Sequence, residues 1–72
     1  MSNKEAAKNI IRDLDAEIAP IKESLDKIHA TRLAAYDFDD KNYYAGIEAR
    51  YEYSIELLNK AKTIVLKHLG SA

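Results

Sequence analysis

Residues 10–28 read IIRDLDAEIAPIKESLDKI, and within them Ile11, Leu14, Ile18, Ile21, Leu25 and Ile28 recur at spacings of three, four, three, four and three. A helix needs this alternation to keep one narrow apolar stripe against a neighbouring helix, as the a and d positions of a coiled coil do. The stripe spans about 100°, and the remaining faces carry charge. Extended backward it reaches Ala7 and then Lys4; extended forward it reaches Arg32 and Ala35. The first half of the chain is therefore predicted to be one helix over residues 3–36, packed along a single line. Ser2 and Glu5 have capping-box spacing at its start.

Pro20 falls inside this stretch. It removes the backbone hydrogen bond to Ala16, and its ring crowds that carbonyl. The three-four alternation runs past it without a shift, and it lies opposite the seam. Both features favour one helix kinked at Pro20, convex toward solvent, over two separate helices.

The turn signal is DFDDKN, residues 37–42. Asp39 is expected to cap a second helix, with Phe38 and Tyr43 at the two positions of a hydrophobic staple. A connection this short folds the helices into an antiparallel hairpin. The second helix is expected over residues 40–69, with Gly70 as the C′ residue. Its acids come first (Glu48, Glu52, Glu56) and its bases last (Lys60, Lys62, Lys67), which suits the helix dipole.

On this helix the apolar residues form two adjoining stripes. One holds Tyr44, Ile47, Tyr51, Ile55, Leu58, Val65 and Leu69; the other holds Tyr43, Tyr53, Leu57, Ala61 and Ile64. Together they cover about 200°, leaving a polar strip that includes Glu52, Glu56, Asn59, Thr63 and Lys67. One partner helix does not cover that width, so the sequence predicts a second partner for this helix. The simplest is another copy of the hairpin, giving a homodimeric four-helix bundle with Leu57, Ala61 and Ile64 as its self-association residues.

Size sharpens the point. A single domain of 72 residues buries only about 60% of the surface that its unfolded chain exposes. Chains this small rely on disulfides, metals, very regular packing or oligomerisation. Cysteine is absent, which removes disulfides and thiolate zinc sites. The charged N-terminal stretch has no signal-peptide pattern, and no window has the length of a membrane span. A cytoplasmic protein is expected. Net charge is −1, from 11 basic and 12 acidic residues, so nothing draws the chain as a whole toward nucleic acid or an anionic membrane. The charges are nonetheless sorted. Lys4, Lys8, Arg12, Lys60, Lys62 and Lys67 gather at the open end, and Asp37, Asp39, Asp40, Glu48 and Glu52 toward the turn. This favours antiparallel association of two hairpins.

Five tyrosines, Tyr36, Tyr43, Tyr44, Tyr51 and Tyr53, gather with Phe38 around the turn and early second helix. Tyrosine gives a large rigid contact area with a polar tip, which suits interfaces. Tyr44 and Tyr51 belong to the main stripe. Tyr36, Tyr43 and Tyr53 face elsewhere and are the candidate contacts for a partner protein.

Other chemistries fit less well. Glu48 is twelfth counting from Asp37, the spacing of an EF-hand, but Lys41 and Asn42 stand where a ligand and a glycine are required. His29 and His68 are expected at opposite ends of the hairpin, at the solvent edge, with no ligand partners, so no metal or other cofactor is indicated. The row Lys4, Lys8, Arg12 is a candidate phosphate contact in a Rop-like nucleic-acid-binding dimer, an analogy of architecture only, but Asp13, Asp15 and Glu17 follow it at once. The rhythm of the first helix is similar to that of chorismate mutases. That resemblance implies several arginines converging on a dicarboxylate, whereas Arg12, Arg32 and Arg50 are widely spaced here and the chain is shorter than that family. There is no nucleophile–base set and no glycine-rich loop. The sequence therefore points to a non-enzymatic interaction protein, a regulator or inhibitor of the kind phages and plasmids encode, or to a structural or assembly subunit.

Overall fold

The computed structural model describes residues 3–71 and contains two helices, α1 (Asn3–Ala34) and α2 (Phe38–Ser71), packed as a hairpin. Ser2, and with it the capping box, lies outside the described residues, as does the side chain of Leu69. α1 runs through Pro20 as one helix. Pro20 and Ala16 are both exposed, so water reaches the carbonyl that the proline leaves without its helical partner.

The seam is where the sequence places it. Ile18 is buried, with 4% of its surface exposed, and Ile11, Leu14, Ile21, Leu25 and Ile28 are half-buried. From α2, Tyr44, Ile47, Tyr51, Ile55, Leu58 and Val65 are half-buried as well. Cross-helix ion pairs accompany the antiparallel register. Lys62 meets Asp15 toward the open end, and His29 with Arg32 meets Glu48 toward the turn.

The connection is as short as expected but lies two residues earlier, at residues 35–37, because α1 stops at Ala34 and α2 begins at Phe38. The Ala35 N–H donates to the Arg32 carbonyl at 3.3 Å, closing α1 with a tightened last turn. Asp37, not Asp39, caps α2. Its carbonyl accepts the first helical bond from the Lys41 N–H at 3.0 Å, and its Oδ1 accepts from the Asp39 N–H at 3.4 Å. Capping at Asp37 places Asp39 and Asp40 in the first turn, where negative charge is stabilised by the unpaired N–H groups. It also moves the staple positions to Tyr36 and Lys41, which make no apolar pair, so Phe38 and Tyr43 are not stapled. Gly70 does not end α2, which continues to Ser71, and no described glycine has a positive φ.

Candidate protein-interaction site

The hairpin leaves a large part of its apolar surface uncovered. Among the described residues Ile18 is the one apolar side chain that is buried. The chain exposes 5580 Å², where a compact monomer of 8.1 kDa exposes about 4,500 Å². The excess is about 1,100 Å², more than the roughly 800 Å² that one partner contributes to a standard interface.

Apart from Ile10, Leu33 and Leu66, which are exposed elsewhere on the two helices, the large exposed apolar side chains fall into two regions. The first is the tip. Tyr36 stands wholly in solvent on the connection, and Phe38 and Tyr43 are exposed on the first turns of α2. Tyr43 packs edge-on against Tyr44, with ring centroids 5.4 Å apart. That contact holds one aromatic of the tip in place through another that is part of the seam. The second region is the outer flank of α2, where Tyr53, Leu57 and Ile64 are 60%, 46% and 59% exposed and Ala61 is half-buried beside them. Tyr53 belongs here and not with the tip, since it lies ten residues, or about 15 Å, beyond Tyr43 along the helix.

The two flanks of the seam differ in chemistry. With Ile47 as zero and 100° per residue, Glu48 and Lys62 fall about 60–100° to one side, and Leu57, Ile64 and Tyr53 about 80–120° to the other. The cross-helix ion pairs therefore follow one flank, which also carries the exposed Leu66, and the row of Tyr53, Leu57 and Ile64 follows the other. The Glu48 carboxylate is the centre of the polar flank. Its residue is buried at 8% exposure, unlike Asp37, Asp39, Asp40 and Glu52, the other acids grouped toward the turn, which are exposed. The Arg32 Nε–H donates to its Oε1 at 2.8 Å, and His29 Nδ1 lies 3.2 Å from the same oxygen. Arg32 Nη2 is also 3.3 Å from His29 Nδ1. That ring nitrogen donates to Glu48 when protonated and accepts from Arg32 when not, so it is satisfied in either tautomer. The Arg32 hydrogen bond holds the Glu48 carboxyl below its ordinary value of 4.5; desolvation opposes this, and the charge of Arg32 and contact with His29 add to it. His29 is exposed at the solvent edge, as expected, and there joins a cross-helix cluster. Its distance in sequence from Glu48, 19 positions, is why local spacing does not disclose it; the sequence signal was Glu48 itself, directly after Ile47 at the seam edge.

At the open end Lys4, Lys8 and Arg12 are exposed along α1, with Arg12 Nη2 3.4 Å from Asp13 Oδ1. Lys62 is tied to Asp15, and Lys60 to Glu56 at 3.5 Å, so these two, like Arg12, stand beside a carboxylate that partly neutralises them. A groove of about 840 Å³ opens here between the helices, lined mainly by Ala6, Ala7, Ile10, Val65 and His68. His29 lies toward the turn and His68 at this opposite end, and no group of three described His, Cys, Asp or Glu residues suits a metal ion. No described helix is long and apolar enough to cross a membrane. Comparison with protein-family models, curated proteins and solved structures returns no match for this chain.

Proposed function

We propose that the protein is a non-enzymatic interaction module that binds a partner protein through the tip of the hairpin and acts by occupying that partner's surface. The observation that carries this reading is the exposure of three aromatic side chains, Tyr36, Phe38 and Tyr43, on the connection and the start of α2. No staple holds them and the seam does not cover them; the edge contact of Tyr43 with Tyr44 fixes one ring and leaves it exposed. Aromatic side chains of this kind serve as anchors in protein interfaces, where a few buried residues supply most of the affinity. Asp37, Asp39 and Asp40 surround them with negative charge, which favours a partner site combining an apolar pocket with a basic rim.

Regulation or inhibition is the mode of action we favour, because a tip of this size covers a surface and brings no reactive groups to it. The test is affinity capture from extract of the source cells, with the native chain and a Tyr36→Ala/Tyr43→Ala variant compared in parallel. The native chain is expected to retain a protein that the variant loses, with helicity by circular dichroism the same in both. Retention of the same proteins by both chains overturns the assignment to the tip.

A further inference from the structure

We infer that the outer flank of α2 is covered by a second copy of this chain, lying antiparallel to the first and related to it by a two-fold axis near Leu57. The inference concerns a different surface from the tip and stands independently of the partner proposed there.

Three observations identify the occupant as a second copy. The first is the pattern of the row itself. Gly46, Arg50, Tyr53, Leu57, Lys60 with its neighbour Ala61, and Ile64 follow the three-four alternation of a helix seam along this flank. The helix to which the hairpin supplies a partner uses the other stripe. A two-fold interface must be self-complementary, each residue meeting its symmetry counterpart. With the axis at Leu57, Leu57 meets Leu57, the bulky Tyr53 meets the small Ala61, and Arg50 lays its stem along Ile64. Large residues then face small ones on both sides of the axis. Lys60 of each copy also comes beside Glu56 of the other, the same pairing of charges that already occurs within the helix.

The second observation is the charge along the rod. The hairpin measures 54 Å in its long dimension. Residues 3–12 and 60–68 at the open end carry six Lys or Arg and one acid, whereas residues 37–41 at the tip carry three Asp and one Lys. Side by side and antiparallel, two copies set basic ends against acidic tips; parallel, they set like against like. The third is area. The surplus of about 1,100 Å² over a compact chain is shared between the tip and this flank, and it exceeds the roughly 800 Å² that one member of a standard pair covers. The charged flank with its cross-helix bridges stays outward, and Ile10, exposed on α1 at the groove beside Val65 and His68, extends the uncovered apolar surface at the open end.

The chain contains no cysteine, so single introduced cysteines report the geometry directly. Sedimentation equilibrium of the full native chain is expected at twice 8.1 kDa. On oxidation of an equimolar mixture of Arg50→Cys and Ile64→Cys chains, the mixed 50–64 disulfide is expected to dominate over the 50–50 and 64–64 products. Both substitutions lie on exposed positions, and each variant is checked for native helicity first. Leu57→Asp is expected to shift the mass to that of the monomer or abolish helicity; Tyr36→Ala is expected to leave the dimer intact, which separates this inference from the tip reading. A native chain that sediments as a monomer at micromolar concentration overturns the inference. So does a preference for 50–50 and 64–64 links, which indicates a parallel pair, and so does an assembly larger than two chains.

Discussion

Glu48 is the residue on which the polar flank depends. A carboxylate taken out of water is tolerable only with donors aimed at it; from the other helix Arg32 supplies one, and His29 supplies a second when its Nδ1 carries a proton. Because Arg32 holds the folded-state pKa below 4.5, the folded chain releases this proton more readily than the unfolded chain. The resulting stability is present above the unfolded value and is lost as pH falls through the depressed folded value. Glu48→Gln should therefore lower the melting temperature at pH 7. The gap between native and variant chains should close as the pH falls below about 4.5, the ordinary carboxyl value of the unfolded chain. Thermal melts followed by circular dichroism at a series of pH values check this. A gap that keeps its size into strong acid would show that the side chain acts by shape and not by charge.

At the scale of the element, α1 carries the cost of Pro20 without an evident gain in packing. The ring is exposed and the seam passes it in phase. An interior proline costs a helix about 3 kcal/mol relative to alanine, and part of that is recovered where water satisfies the freed carbonyl. Pro20→Ala should stabilise the hairpin by about 1–3 kcal/mol, each kcal/mol raising Tm by about 4–8 °C in a domain of this size. An unchanged or lowered Tm would mean that a bend at Pro20 is needed to wrap α1 along its neighbour.

The elements also show what could and could not be read from the chain alone. The six seam positions of α1 were legible because periodicity is a property of one helix, and each is buried or half-buried. The two stripes of α2 were legible for the same reason: the described side chains of the first are half-buried, and the second, apart from Ala61, is exposed. The cap was not. Asp37, Asp39 and Asp40 all suit an N-cap by residue type, and the choice depends on which position leaves the other two carboxylates in the first turn. The cluster at Glu48 depends on the cross-helix register, which intrahelical spacing does not contain.

At the scale of the whole molecule, the hairpin is a rod of 54 by 16 by 11 Å, too thin to bury more than a few side chains. Its sole buried apolar residue among those described, Ile18, is a very small core to set against the chain entropy lost on folding, about 1–2 kcal/mol for each backbone residue ordered. If two copies fold as one unit, unfolding and dissociation are a single event, and stability depends on protein concentration. A tenfold increase in concentration then adds about 1.4 kcal/mol per dimer at room temperature. Spread over the unfolding entropy of two 72-residue chains, about 0.3 kcal/mol per kelvin, this raises Tm by about 4–5 °C. Melts across about a hundredfold range of concentration should thus differ by nearly 10 °C on that scaling. A Tm that stays constant across the range would mean that the fold does not draw its stability from the second copy. The hairpin would then have to stand alone on the half-buried seam between Ile11 and Ile28, with the outer flank of α2 left in water.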